Sequence, residues 1–378
     1  MKFLALISIA WITSCASRPA PQQLSWIGEQ SFDQSVFVDG TQMGGLSGLH
    51  YDERTQRLVA VSDDPGMETS RGPGRWYQFK VDFKNGFRVS PERVVRLSGI
   101  RVGATDLESI APAENGWLIS MESETDKMNR FKKGDRKAIS RPRLLRTTTR
   151  GHVTREFLLP PRFQPNAQGE HGVVLNAGIE GLVAVSDHHA GAQWAMVSEV
   201  PLQQDQAKFP LASRLTLFSL SQEGWTDRAE YVYEFSPLPK NIGFEAPVID
   251  RGVSDLLYRG EGKFWVLERS FFFNKEQNRT RNLIEIYEVD VSHAPNTEGA
   301  DTLKKVSPLK KKLIANLDDF IESMPVPATQ VGHILDNVEG LTLGPQVDGH
   351  ETLILVTDDN FGKTQRTAFR AFKILRRD

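Results

Sequence analysis

The chain has 378 residues, 39% of them apolar and 25% charged, with a formal net charge of −2. That length allows one large or two ordinary domains. The near-neutral balance argues against a nucleic-acid binder, which would carry a clear basic excess, and a single cysteine excludes a disulfide framework.

In chain order, the first residues read as targeting rather than fold. Met1-Lys2 and the apolar stretch Phe3 to Ile12 form a positive start and a run too short to span a bilayer. The run ends in Ile12-Thr13-Ser14-Cys15, which resembles the lipobox of bacterial lipoproteins. Residues 1–15 are then a signal peptide with Cys15 as the lipidated residue, and 16–23 a tether. Lipidation would leave no free thiol, which suits an oxidising cell envelope. Ala16 after the cysteine fits retention at the outer membrane, on its periplasmic side or at the cell surface, with membrane contact only through the anchor. Residues 24–378 read as one domain, expected to be a monomer.

Leu24 to Asp39 reads as a strand segment that must pair elsewhere, and joining the last repeat would close a ring. A unit of two strands then recurs five times. The openings are Gly45-Leu-Ser47-Gly-Leu, Asp106-Leu-Glu108-Ser-Ile, Gly178-Ile-Glu180-Gly-Leu, Gly252-Val-Ser254-Asp-Leu and Asn337-Val-Glu339-Gly-Leu. The partner runs end on Asp63, Glu122, Glu199, Arg269 and Asp358. The runs are of strand length and rich in Val, Ile, Leu and aromatics, with turn formers such as Ala113-Glu-Asn-Gly116 between them. Trp76 to Val81, Leu215 to Leu220, Leu283 to Val291 and Phe369 to Leu375 supply further strands, so each repeat is about a four-stranded sheet. Radial repetition of such sheets is an all-β propeller. The slots are spaced wider than the usual blade of about 40–50 residues, so insertions are required, and a degenerate sixth blade around 140–165 or 300–330 stays open.

In an antiparallel hairpin the start of one strand and the end of the next share an edge. Glu108 and Glu122, Glu180 and Glu199, and Glu339 and Asp358 therefore lie on one rim, at the mouth of the central channel. Converging carboxylates repel unless protonated or neutralised by a cation, and an all-oxygen set suits Ca²⁺. The candidate metal ligands are Glu108, Glu122, Glu180, Glu199, Asp255, Glu339 and Asp358. The alternative is that the acids cap strand ends in solvent. The fourth repeat departs from the pattern, with Ser254 in the first slot, Asp255 one place late and Arg269 in the second slot. Ser47 replaces the acid in the first repeat. A guanidinium among acids suits a site for a metal-associated anion, because it pairs with phosphate in a forked geometry.

Other features read as structure. Asp187-His188-His189 is a surface loop, and Trp117, Trp194 and Trp265 fill one repeated core slot. Phe271-Phe-Phe273 packs between blades or lines a pocket. The basic runs Arg130 to Arg150 and Lys304 to Lys312 read as solvated hairpins, the alternative being a positive surface that draws anionic substrates or lipid headgroups. There is no Gly-x-Ser-x-Gly elbow, phosphate-cradling Gly-rich loop or His-Glu-x-x-His.

The Glu-Gly-Leu openings, the acidic strand ends and Val356-Thr-Asp-Asp-Asn360 resemble the phytase-like domain family, described as the esterase-like activity of phytase, from about Met43 to Leu375. The resemblance implies a calcium-dependent β-propeller hydrolase of phosphate esters. It implicates Glu108, Glu122, Glu180, Glu199, Glu339, Asp358 and Asp359 as the working acids. On that reading a small phosphate ester is the substrate, with Glu180 and Glu339 as catalytic carboxylates and Arg269 gripping the phosphate. Two other readings stay open: an envelope propeller in which calcium only fastens the blades, and a calcium-dependent lactonase or esterase.

Overall fold

The computed structural model describes residues 23–64, 73–100, 105–122, 141–166, 168–239, 246–304, 307–325 and 335–375. The lipobox with Cys15 and the basic run Arg130 to Lys137 lie outside them. β1 (Leu24–Phe32) precedes a small hairpin, β2 (Phe37–Val38) and β3 (Thr41–Gln42). Blade 1 is β4 (Leu46–Asp52), β5 (Arg57–Ser62), β6 (Arg75–Asp82) and β7 (Arg88–Arg96). Blade 2 is β8 (Leu107–Ala113), β9 (Gly116–Met121), β10 (Arg143–Thr148) and β11 (Val153–Leu158). Blade 3 is β12 (Ile179–Ala184), β13 (Trp194–Ser198), β14 (Ala212–Leu220) and β15 (Trp225–Glu234). Blade 4 is β16 (Val248–Gly260), β17 (Lys263–Asn274), β18 (Arg279–Asp290) and β19 (Lys311–Asn316). Blade 5 is β20 (Asn337–Val347), β21 (His350–Asp358) and β22 (Thr367–Ile374), completed by β1.

The architecture is a five-bladed β-propeller, and the segments that left room for a sixth blade supply β10, β11 and β19 instead. The first strands of the blades touch one another in ring order, β4 to β8 to β12 to β16 to β20 and back to β4. As expected, the N-terminal strand closes the ring. β1 pairs antiparallel with β22 from Leu24↔Ile374 to Phe32↔Thr367. The closure is locked by a buried charge network in which Glu29 meets Arg366 at 2.7 Å and Arg370 at 2.8 Å.

The apolar residues that alternate along these strands collect into one seam between each pair of neighbouring blades. Five hydrophobic clusters occupy the five seams. Trp117, Trp194 and Trp265 lie in three of them, and the Trp194 indole N–H donates to Pro112 O of the preceding blade. Lys311, read as part of a solvated run, is instead drawn into the blade 3–blade 4 side. Its Nζ lies 2.5 Å from buried Glu268 and over the rings of Tyr233 and Tyr287. Asp187, His188 and Ala190 are exposed around a turn, as a surface loop should be.

One irregularity repeats in every blade. The pairing of first and second strands slips between Leu46/Leu49, Leu107/Ile110, Ile179/Gly181, Val253/Asp255 and Val338/Gly340. The residues set free include Ser47, Glu108, Glu180, Ser254 and Glu339, the first slot of each repeat, with Gly48 and Ser109 beside them in blades 1 and 2. A bulge takes a residue out of the ladder and re-aims its side chain. Here it turns all five slot residues toward the ring axis, where four of them, Ser47, Glu108, Glu180 and Glu339, line one cavity.

Candidate active site

The cavity at the end of the axis has a volume of about 460 Å³. Its acidic lining comes from every blade: Asp63, Glu108, Glu122, Glu180, Glu199, Asp250, Asp336, Glu339 and Asp358. Arg269 is the one basic residue on the lining among the described residues. The second-slot acids arrive at the ends of the second strands and lean over the next blade. Glu122 accepts the backbone N–H of Gly178. A Cβ at Gly178 would lie 2.7 Å from Glu122 Oε1, and one at Gly252 would lie 2.5 Å from Glu199 Cγ. Glycine at these two positions is what lets the carboxylates cross the seam.

Asp106, Glu108 and Glu122 offer three carboxylate oxygens within 4.8 Å of one another. Asp358 accepts from Asn337 Nδ2 at 3.1 Å and from the Asn360 N–H at 2.7 Å. Asp359 lies behind it, buried, and accepts from the Gly45 and Phe361 N–H groups. Across the cavity, Arg269 lies 3.5 Å from Glu339, 3.7 Å from Glu199 and 3.3 Å from Asp250, and its side chain is only 11% exposed.

The electrostatics follow from burial and crowding. Burial first, and then the neighbouring carboxylates, push the acids of Asp63, Glu108 and Glu180 well above the ordinary range. Burial also raises Glu199, Asp358 and, less strongly, Glu339, against the opposing pull of Arg269 on Glu199 and Glu339 and of the Asn360 N–H on Asp358. Burial works against the charge on Arg269, but Glu339, Glu199, Asp250 and Glu180 outweigh it and hold the guanidinium protonated.

Asp255 is the one predicted ligand that the structure removes from the cavity. In blade 4 the bulge is occupied by Ser254, so Asp255 falls one place later and turns into the seam. Its two oxygens accept the N–H groups of Leu256 and Leu341, both at 2.8 Å, which makes it a staple between blades 4 and 5. Ser109 holds the equivalent place in blade 2 and bonds the Leu182 N–H of blade 3 at 3.0 Å.

Several residues in or beside the cavity were left out of the candidate set. Asp106 stood out only as a turn former, although the other repeats carry Gly or Asn there. Asp63 ends its run in register with Glu122, Glu199 and Asp358 and was read there, but it was not carried into the set of candidate ligands. Asp250, Asp336, Asn176 and Gln365 belong to strand extensions and loops with no repeated pattern.

Among solved structures, a complex of BT0996 with RGII is similar over 92% of this chain and 92% of that protein, at 10% identity and a TM-score of 0.48. An endo-arabinase from Bacteroides thetaiotaomicron VPI-5482 is similar over 92% of this chain and 99% of that one, at 9% identity and a TM-score of 0.41. The periplasmic gluconolactonase PpgL of Pseudomonas aeruginosa is similar over 93% and 95%, at 10% identity and a TM-score of 0.34. None of these likenesses bears on the chemistry. No curated protein matches the sequence. Residues 41–361, which carry all five bulged slots and the acids around them, match the phytase-like family described as esterase-like activity of phytase, and the chain belongs to that family.

Proposed function

We propose that the chain is a calcium-dependent hydrolase of phosphate esters that works in the axial cavity. The observation that carries the reading is the gathering of carboxylates from all five blades around one cavity, several of them buried. Such a group is tolerable only with protons or cations among its members. The Asp106–Glu108–Glu122 oxygens, within 4.8 Å of one another, fit a shared cation, since ligands about 2.4 Å from Ca²⁺ on opposite sides of it are about that far apart. The donor set is all oxygen, which suits calcium over softer metals. Bound there, calcium would neutralise substrate charge and polarise the phosphoryl group.

The chain's own residues supply the rest. Arg269, held protonated on the cavity lining, supplies the positive charge that attracts the anion. Glu180 and Glu339, their carboxyls raised by burial, hold protons more tightly than free carboxylates do, which suits a general acid or base. Family membership supports ester hydrolysis as the reaction class.

The test is turnover of p-nitrophenyl phosphate by purified protein in calcium and in chelator. Activity should require calcium and fall by about 100-fold or more in Glu180→Gln. Calcium that raises the melting temperature without any turnover would leave a calcium-fastened binding propeller. Turnover of lactones or carboxylic esters alone would reassign the reaction.

A further inference from the structure

Blade 4 stands above the ring. Its first three strands run 13, 12 and 12 residues, whereas those of blade 3 run 6, 5 and 9. The register of the extension decides which side chains face the cavity. Trp265 and Leu267 of β17 pack with Val338 and Leu341 of blade 5, and Arg269 meets Glu339 of the same blade. Alternation along a strand therefore puts Phe271 on this face too, about 7 Å farther out than Arg269. Asn282 lies directly opposite Phe271 on β18, and Thr280 lies opposite Phe273. Phe271, Asn282 and Thr280 all line the cavity, as do Asn360, Thr364 and Gln365 from the β21–β22 connection. The cavity is thus graded, with charge around the axis and mostly neutral hydrogen-bonding groups toward the lip.

Two details at the lip point to a ligand. Phe271 is the one aromatic on the lining among the described residues, and it joins none of the hydrophobic clusters. Beside it, the side-chain oxygen Oδ1 of Asn282 is buried and has no hydrogen-bond partner. Buried polar atoms are seldom left so, and an unpaired one next to an aromatic ring on the cavity lining matches the two halves of a hydroxylated ring.

We propose that the blade 4 extension is the subsite for the alcohol part of the ester, with Phe271 and Asn282 as its specificity-determining residues. The substrate is a monophosphate of a neutral, hydroxylated ring. One face of the ring lies on Phe271, and an edge hydroxyl donates to Asn282 Oδ1. The proposal rests on the phosphate-ester reading of the cavity. A second phosphate at the lip would face Asp250, whose side chain is half exposed, and Asp336.

The experiment compares methyl phosphate, phenyl phosphate and glucose 1-phosphate on the calcium-loaded protein. Affinity is measured by calorimetry, and kcat/KM where the ester is turned over. Both ring esters should outbind methyl phosphate by about five- to tenfold, with the sugar ahead through its hydroxyls. Phe271→Ala should abolish the advantage of both rings, and Asn282→Ala that of the sugar alone. Phe271→Leu, which keeps bulk without the ring, serves if the alanine variant melts early. Equal affinities for the three esters, or rankings unmoved by these variants, would overturn the subsite while leaving the hydrolase reading intact. Binding of none of the three would bring down the hydrolase reading itself, and the subsite with it.

Discussion

At the scale of single residues, position relative to a bulge separates cavity groups from structural ones. Glu339 and Asp255 are both acids beside a bulge in a first strand, yet one faces the cavity and the other binds two backbone amides. The two roles give opposite outcomes on substitution. Asp255→Ala should cost about 2–4 kcal/mol in urea unfolding, from two buried backbone N–H groups left without an acceptor, while calcium affinity stays close to that of the parent. A large loss of calcium affinity with unchanged stability would return Asp255 to the ligand set. The acid slots themselves were legible because a repeated register is visible in a linear string. Asp255 was misread because the string does not show which of Ser254 and Asp255 the bulge frees.

At the scale of elements, the inner hairpins were the most readable part of the chain. They are apolar on both faces, since each is covered by a blade on either side, and their burial is nearly continuous, as in β5 and β13. Outer strands such as β7 alternate irregularly between buried and exposed, so β10, β11 and β19 could not be told from loops or from parts of another blade. The pairing of β1 with β22 was inferable only from the need to protect open edges. Glu29 is the polar centre of that pairing, with its side chain and that of Arg370 fully buried. Glu29→Gln should destabilise the protein by about 3–5 kcal/mol, because it leaves two guanidinium groups short of their counter-charge. Limited proteolysis should then release the N-terminal strand first. Unchanged urea unfolding and unchanged cleavage would show that hydrogen bonding alone closes the ring.

At the scale of the whole molecule, the cavity makes stability a function of pH and calcium together. Asp63, Glu108, Glu180, Glu199 and Asp358 hold protons more tightly in the folded chain than in the unfolded one. Their contribution is therefore fully present below the ordinary carboxylate range of about 4 and is lost as pH rises above it. Metal-free protein should melt progressively lower from pH 5 to pH 8, and calcium should remove most of that slope by replacing the protons. A melting temperature indifferent to calcium at pH 8 would mean that the carboxylates are compensated in another way. Ring closure has a further consequence, one of timing. Among the described strands, the one that completes blade 5 is made first and its partner in that blade is made last. The domain cannot finish folding piecemeal during synthesis, so its oldest strand must stay unpaired until its youngest arrives.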